Sequence, residues 1–132
     1  GAAVTLAANT GPSLNDVTAG ELAELLRRVG EVDSAVAEAT AAGRIRVLAD
    51  GNGAPLIDLA RLDPAFVAAL DAAGPIDLVV LEGMGRAIES NLDARFRCDV
   101  LKIAMIKDEG VAEALGGSLY DLVLRFEPGE GG

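Results

Sequence analysis

The feature that most constrains the fold is the alternation of short apolar runs with longer amphipathic stretches along the 132-residue chain. The apolar runs have the length of strands, and the stretches between them show helical spacing. Strands that alternate with helices are typical of βα units in a parallel sheet. The predicted strands cover residues 3–8, 45–49, 76–81, 101–106 and 120–126. We therefore predict one α/β domain over residues 1–127, with a mostly parallel sheet of about five strands, and a flexible tail over 128–132.

The residue patterns of two of these strands predict how far their faces are covered by the rest of the protein. The run 76–81 is apolar at nearly every position, which predicts a strand that is covered on both faces. The last run alternates instead, with Asp121 and Arg125 on one face, so it is predicted to be half-exposed and close to an edge of the sheet. Its other face carries the apolar residues Tyr120, Leu122, Leu124 and Phe126.

Helix signals fill the gaps between the strands. Thr18 followed by Glu21 is a capping-box pair, and the apolar residues after it fall at helical spacing. Asp63 and Pro64 form a typical N-cap and first-turn pair. Two further helices are predicted over 32–42, ended by Gly43, and over 109–115, ended by the glycine pair at 116–117.

The composition limits the possible binding partners and the possible cellular compartment. The formal net charge of −10 argues against a general nucleic-acid or anionic-membrane surface. Cys98 is the single cysteine, which excludes an internal disulfide and fits a reducing compartment. No apolar run approaches the roughly 20 residues that span a bilayer, and no signal peptide is found. A soluble, cytoplasmic protein is the expectation.

The first residues suggest a larger parent protein. The chain opens with Gly1 rather than Met and enters an apolar run at Val4. Removal of a tag would explain the glycine, but a domain seldom begins inside its own core strand. The preferred interpretation is a chain that starts partway through a larger protein.

The segment after the first strand, residues 9–18, is the first candidate site. In an open parallel sheet, ligands bind at the carboxyl ends of the strands. Asp16 precedes the first helix, where a carboxylate either caps the helix or binds a hard cation. Thr18 already provides a cap, and Asn9 and Asn15 add oxygen donors. Capping and a site role both stay open on spacing alone.

A glycine-rich segment follows the third strand. Gly83 and Gly85 allow backbone N–H groups to come close to an anion, and Arg86 adds a forked charge suited to a phosphate. The segment is not a dinucleotide fingerprint, because Ile88 stands where a third glycine is required. A tight turn with an exposed arginine is the competing interpretation, and Asn91 is placed to face the same crevice.

Lys107 follows the fourth strand and is predicted to reach the same crevice as Arg86. The alternative is an ordinary solvated lysine at a strand end. From Arg86 to Lys107 the chain has five basic and three acidic side chains, although the whole chain carries −10. A local positive segment in an acidic protein fits the binding of a small phosphorylated substrate.

Other catalytic arrangements are excluded or weak. The chain has no histidine, which excludes histidine triads and histidine-containing zinc sites. Ser13 and Ser90 lack the context of an activated nucleophile, and Cys98 has no general base. The stretch at 50–53 superficially resembles a calcium loop, but no glutamate closes it, so it is predicted to be a turn.

Together these motifs resemble the damage-control phosphatases, in the branch attached to eukaryotic pantothenate kinases and in its stand-alone plant relatives. The resemblance covers residues 3–127. It rests on Asn91, on Lys107 and on the segments Asn9-Thr10-Gly11-Pro12-Ser13-Leu14-Asn15-Asp16-Val17-Thr18, Leu81-Glu82-Gly83-Met84-Gly85-Arg86, Leu101-Lys102-Ile103 and Leu115-Gly116-Gly117.

The resemblance implies a Rossmann-like three-layer α/β/α fold, preceded in the family by a helical N-terminal region. It also implies hydrolysis of phosphomonoesters with a divalent metal such as Mg, Mn, Co or Ni. In this branch the implied substrates are 4′-phosphopantetheine and its damaged forms. Asp16 matches the third metal ligand of the family, and Arg86 and Lys107 match positions expected to hold the phosphate. The full predicted substrate-binding set is Asn9, Asn15, Gly83, Gly85, Arg86, Asn91 and Lys107.

One departure from the family pattern matters. The Asp-Asn pair that supplies the other metal ligands in the family is missing here, as is the helical N-terminal region. The chain alone is therefore expected to be inactive, to need the missing N-terminal half as a partner, and to self-associate through an open sheet edge. The alternatives are a sugar-phosphate phosphatase of the same family and a non-catalytic phosphate-binding half-domain.

Overall fold

A computed structural model of the chain describes residues 1–51 and 56–130. The chain divides into two compact units, Gly1–Ala72 and Ala73–Gly132. The first unit contains β1 (Val4–Ala8), α1 (Ala19–Val32), α2 (Ser34–Ala41), β2 (Ile45–Ala49), a 3₁₀ turn (Leu59–Arg61) and α3 (Pro64–Asp71). The second contains β3 (Leu78–Glu82), a π-helix (Met84–Glu89), β4 (Asp99–Met105), α4 (Glu109–Leu115) and β5 (Leu122–Glu127).

The first unit is built on a parallel pair of strands. β1 and β2 pair residue by residue over their whole length, and parallel neighbours require a crossover connection. α1 and α2 provide that connection. α1 begins at a complete capping box, in which the Thr18 hydroxyl accepts the Glu21 N–H at 3.3 Å and the Glu21 carboxylate accepts the Thr18 N–H at 2.9 Å. The predicted start of this helix is confirmed.

A single aspartate separates the two crossover helices. Asp33 ends α1, and its carboxylate accepts the N–H groups of Ala35 and Val36 at 2.9 and 3.2 Å, which starts α2. α2 therefore begins two residues later than the predicted 32–42 range. Gly30 of α1 lies close to Ala37 of α2, since a Cβ added at Gly30 would be 3.4 Å from that residue. A small residue at this position lets the two helices pack closely.

The second unit is a three-stranded sheet in the order β3-β4-β5. β3 and β4 are parallel, whereas β4 and β5 are antiparallel. One face of the sheet packs against the π-helix, the loop that follows it and α4. The buried residues of this core are Leu81, Ala87, Ile88, Val100, Ala104, Ile106 and Ala112. We call this side of the sheet the packed face.

The opposite side of the same sheet, which we call the exposed face, is also apolar. Its residues on β5 are Leu122, Leu124 and Phe126, with 76%, 75% and 58% of their surfaces exposed. Cross-strand pairing places Leu124 opposite Ile103 and Phe126 opposite Leu101, so these side chains share one face. Leu78 and Val80 of β3 are about half exposed on this side as well.

The element predictions are largely confirmed. All five strands are present, each within two residues of its predicted bounds. α3 starts at the Asp63-Pro64 pair, and α4 covers the predicted 109–115 range. Gly116 closes α4 with a φ of 66°, a left-handed conformation that suits glycine. β5 lies at an edge of its sheet, as its alternating pattern predicts.

Two predictions about the sheet are wrong. In the part of the chain that the structure describes, the strands form a two-stranded and a three-stranded sheet rather than one sheet of five, because apolar runs predict strands but not which strands pair. β3 is not covered on both faces either: the register puts Leu78 and Val80 on the exposed face. The predicted turn at 50–53 and the end of the predicted tail lie partly outside the described residues.

The longest helix among the described residues, α1, has 14 residues. Among the residues that the structure describes, no helix combines enough length with enough apolar character to cross a membrane.

Candidate functional site

Two loop segments begin side by side at the carboxyl ends of β3 and β4. These strands are parallel neighbours, with Glu82 opposite Ile103. The Gly83 N–H donates to the Ile103 carbonyl at 3.0 Å, which extends the pairing by one residue beyond β3. The segment with Gly85 and Arg86 therefore leaves the sheet beside the end of β4, the strand that leads to Lys107.

Gly83 turns the chain from β3 into the π-helix. Its φ of 102° lies in the region that favours glycine, although nothing lies within 4 Å of an added Cβ. Backbone conformation rather than crowding thus requires glycine here. The turn closes where the Ser90 N–H donates to the Gly85 carbonyl at 3.1 Å, five residues back. Single π-helical turns of this kind are frequent at functional sites.

The end of the π-helix is capped by side chains. The Asn91 amide nitrogen donates to the Arg86 carbonyl at 2.8 Å and to the Ser90 hydroxyl oxygen at 3.0 Å. The Ser90 hydroxyl donates in turn to the Gly85 carbonyl at 2.7 Å. Asn91 is buried, whereas the Arg86 side chain is half-buried. These bonds fix the backbone that carries Arg86, while the predicted contact of Asn91 with substrate stays a prediction.

Lys107 is tied to the same segment through its backbone. Its N–H donates to the Met84 sulfur at 3.3 Å, and its side chain is exposed. Because Met84 is the first residue of the π-helix, this contact joins the segments that carry Arg86 and Lys107. The structure thus brings both predicted phosphate-binding residues to the carboxyl ends of adjacent parallel strands.

The first unit holds the other candidate segment. Asn9 is completely buried directly after β1, and its carbonyl accepts the Ala19 N–H at the start of α1 at 2.9 Å. A reverse turn follows, closed by the Asp16 N–H, which donates to the Ser13 carbonyl at 3.0 Å. Leu14 in this turn has a φ of 52°. Asn15 is exposed, and Asp16 is half-buried.

The predicted site residues therefore fall into two groups. Each group lies at the carboxyl end of a parallel strand pair within its own unit, as expected for an open α/β sheet. Their convergence on one crevice and their roles stay predictions. The first unit contains Asn9, Asn15 and Asp16, and the second contains Gly83, Gly85, Arg86, Asn91 and Lys107.

Two charged residues that were not among the predicted site residues are completely buried. Asp50 follows β2 directly, and its N–H donates to the Ala8 carbonyl at 2.9 Å. Lys102 lies in the middle of β4 on the packed face. The signal for both was available: a charged residue inside an apolar run, or directly after one, at a position where the strand is covered.

Besides Glu24 in α1, whose pKa is lowered by hydrogen bonds from Arg27 and Arg28, two carboxylates have pKa values that are lowered by their surroundings. The Lys102 ammonium, which donates a hydrogen bond to Glu127, lowers the pKa of that carboxyl below its ordinary value. The backbone N–H and the hydroxyl of Thr18 likewise lower the pKa of Glu21 at the start of α1. Both carboxylates are therefore acceptors in fixed hydrogen bonds at neutral pH.

Metal binding depends on the donor set. The carboxylate of Asp16 and the amide oxygens of Asn9 and Asn15 are hard oxygen donors of the kind that Mg²⁺ and similar cations prefer. Within residues 1–51 and 56–130, no three His, Cys, Asp or Glu side chains come together as a metal cluster. The donor set fits a divalent cation in kind, but it offers one carboxylate rather than a closed cage.

Known proteins similar to this chain are longer than it is. A damage-control phosphatase, At2g17340 of Arabidopsis thaliana, is 44% identical over 126 residues, which cover 96% of this chain and 33% of that protein. Pantothenate kinase 2 of the same plant is 39% identical over 150 residues, covering 97% of this chain and 16% of the kinase. The mouse 4′-phosphopantetheine phosphatase is 29% identical over 174 residues, covering 96% and 21%. The chain thus spans a third or less of the length of these relatives.

A solved structure and a family model agree with these similarities. The crystal structure of a DUF89 family protein from Pyrococcus horikoshii matches with a TM-score of 0.65 at 20% identity, covering 93% of this chain and 36% of that one. That likeness supports the α/β fold. The model of the damage-control phosphatase ARMT1-like domain matches residues 1–123. With nearly its whole length matched, the chain belongs to the family of damage-control phosphatases with an ARMT1-like domain.

Proposed function

We propose that the intact protein hydrolyses phosphomonoesters with the help of a divalent metal, and that its substrate is 4′-phosphopantetheine or a damaged form of it. The observation that carries the proposal is the placement of Arg86 and Lys107 at the carboxyl ends of adjacent parallel strands. The substrate class draws on the mouse relative, which is named a 4′-phosphopantetheine phosphatase. Phosphatase activity is proposed because the chain belongs to a family of phosphatases.

In this proposal Arg86 and Lys107 hold the phosphate. A phosphomonoester carries nearly two negative charges at neutral pH, and fixed cations at the reacting group stabilise charge that develops during hydrolysis. The planar guanidinium of Arg86 suits two phosphate oxygens at once, whereas Lys107 acts as a point charge. Gly83 and Gly85 leave backbone N–H groups accessible to the same anion.

Asp16 is proposed as a metal ligand, with Asn9 and Asn15 as nearby oxygen donors. A bound divalent cation would stabilise phosphate charge and lower the pKa of a coordinated water. Because Asp16 is a single carboxylate, we propose that further ligands come from parts of the protein outside this chain. The relatives, of which the chain spans a third or less, leave room for such a part.

That remaining part is also proposed to complete the fold. We propose a Rossmann-like three-layer α/β/α arrangement in the intact protein, in which an additional strand pairs with β1. In the part of the chain that the structure describes, β1 pairs with β2 alone, so its other edge has backbone groups available for a further strand. The N-terminal half of the domain is therefore the expected partner of this chain.

The test is release of phosphate by the full-length gene product after removal of metal and stepwise addition of Mg, Mn, Co or Ni. We expect turnover of 4′-phosphopantetheine that depends on added metal and is faster than turnover of sugar phosphates. Faster turnover of a sugar phosphate would replace the substrate assignment with the alternative within the family. Phosphate binding without any turnover would favour a non-catalytic binding role.

Asp16→Asn tests the metal site in the same protein. We expect it to remove metal-stimulated turnover while the circular dichroism spectrum stays unchanged, because one hard ligand is replaced by a weaker neutral one. Asp71→Asn is the matched control, since it removes an exposed carboxylate from the same unit. Parental turnover with normal metal affinity in Asp16→Asn would reduce Asp16 to a turn residue. The 132-residue chain alone is expected to release no phosphate.

A further inference from the structure

Lys102 is the least expected residue of the packed face. It lies between Val100 and Ala104 on the side of β4 that faces the core, and its side chain is completely buried. Burying an ammonium group away from water is strongly unfavourable unless hydrogen-bond acceptors replace the water. An apolar residue at this position would fill the same core without that cost.

The three N–H groups of the ammonium all have acceptors. Lys102 Nζ donates to the Leu92 carbonyl at 2.6 Å, to the Ala94 carbonyl at 2.9 Å and to Glu127 Oε2 at 3.1 Å. An ammonium group has three donors and no acceptor, so its hydrogen-bonding capacity is fully used. Glu127 is also paired with Arg125, its neighbour but one on β5. The lysine thus joins a central strand, an edge strand and a loop.

The loop in question is the one that caps the π-helix. Leu92 follows Asn91 directly, and Asn91 donates to the Arg86 carbonyl at 2.8 Å. Two carbonyls of the segment 92–94 are held by one buried ammonium, which fixes the loop in position and direction. The chain of contacts runs from Glu127 through Lys102 and the loop to Asn91, and from Asn91 to the backbone of Arg86.

We propose that Lys102 is a positioning residue for phosphate binding, which orients Arg86 by holding the loop that carries Asn91. This inference rests on the proposed function, because it takes Arg86 to be the phosphate-binding arginine. Lys102 itself does not contact the substrate. Its role is to keep the π-helix and the loop in the one arrangement in which the guanidinium of Arg86 is directed correctly.

A purely structural lysine predicts a different outcome. If Lys102 only stabilised the core, its replacement would loosen the whole second unit evenly. If it positions Arg86, the loss is concentrated in the π-helix and the loop, and it removes the benefit that Arg86 gives to substrate binding. These two outcomes are separated by a measurement on the backbone and by a measurement of coupling between the two residues.

The first measurement is amide hydrogen exchange in the full-length protein with Lys102→Met, which keeps an unbranched side chain one atom shorter and removes the charge. We expect at least about tenfold faster exchange at the Ala87 and Ser90 amides, which bond to the Gly83 and Gly85 carbonyls. The amides that pair β4 with β5 should change much less. Arg97→Met, an exposed arginine close by, is the control for loss of a positive charge.

The second measurement is a double-mutant cycle with Arg86→Ala under saturating metal. We expect Lys102→Met to raise KM for the phosphomonoester by about 10- to 100-fold, with metal affinity unchanged. In the Arg86→Ala background the same replacement should have little further effect, because its benefit acts through Arg86. Lys102→Arg, which keeps the charge, should recover part of the lost affinity.

The possible results distinguish failure of the proposed role of Lys102 from failure of the proposed role of Arg86. Even loosening of the second unit together with additive kinetic effects would overturn the positioning role of Lys102. Unchanged kinetics in Arg86→Ala alone would overturn the proposed role of Arg86 in phosphate binding. In that case the hydrogen-exchange result would still show whether Lys102 holds the π-helix.

Discussion

The two faces of the β3-β4-β5 sheet are both apolar, yet they differ in what covers them. The packed face buries Leu81, Val100 and Ala104 under the π-helix and α4. The exposed face presents Leu122 and Leu124 with about three quarters of their surfaces accessible. Monomeric proteins seldom expose large contiguous apolar patches. The apolar residues of a strand therefore indicate a face that can be buried. Which elements cover that face is determined by other parts of the sequence.

The comparison is tested most strongly by one substitution on each face of β3. Leu81→Ala on the packed face should lower the free energy of unfolding by about 2–4 kcal/mol, because it leaves a cavity in the core. Leu78→Ala on the exposed face should lower it by about 1 kcal/mol or less. Urea unfolding of the chain at low concentration, followed by circular dichroism, measures both. Equal losses would mean that both faces are packed.

Gly83, which follows β3 directly, tests the backbone of the same strand. Gly83→Ala places a side chain at a φ of 102° and should lower the free energy of unfolding by about 1–3 kcal/mol. Gly20→Ala in α1 is the control, since no atom lies within 4 Å of an added Cβ there and its φ is not positive. That control should raise stability by about 0.5–1 kcal/mol. A neutral Gly83→Ala would contradict the strained turn.

The packed face carries an ion pair between the buried Lys102 and the half-buried Glu127. Lys102 lowers the pKa of Glu127 below its ordinary value of 4.5, so the pair stabilises the fold above that value. The contribution is lost as the pH falls through the lower folded pKa, because the protonated carboxyl no longer attracts the ammonium. Stability of the parental chain should therefore fall on acidification more than that of Glu127→Gln. Parallel curves from pH 6 to pH 2 would contradict this assignment.

The smallest effect is expected on the exposed face. A double substitution, Leu122→Ser with Leu124→Ser, should change the free energy of unfolding of the isolated chain by about 0.5 kcal/mol or less. It should also reduce self-association of the chain in sedimentation experiments. In the full-length protein the same change should cost more if the rest of the domain covers this face. An equally small effect there would mean that the face stays exposed in the intact protein.

The secondary-structure elements could be predicted from the sequence, but the pairing of the strands could not. The Thr18–Glu21 capping box and the glycine at 116 act over one turn, so their residues alone determine the local structure. Strand pairing depends on residues far apart in the chain, which is why the single five-stranded sheet was not found. The exposure of β3 depends on what covers a face, and a six-residue run does not contain that information.

The site was predicted unevenly for the same reason. Gly83, Arg86 and Lys107 follow strands, and the structure places them at the carboxyl ends of adjacent strands, where a rule about parallel sheets expected them. Lys102 was not predicted as a site residue: its position inside an apolar run marks it as unusual, but the role proposed for it depends on the acceptors around it. Two of these acceptors are backbone carbonyls at Leu92 and Ala94, and no side-chain pattern marks them.

The π-helix has a consequence for the length of its segment. A helical residue advances the chain by about 100° of rotation, and the bond from Ser90 to Gly85 spans five residues instead of four. Deleting or inserting one residue between Gly83 and Asn91 would therefore swing Arg86 by about a quarter of a turn relative to its cap. A substitution changes one side chain and leaves the positions of the other residues in place. An insertion or deletion shifts every residue that follows it in the segment. The number of residues between Gly83 and Asn91 is therefore expected to matter for the direction of Arg86.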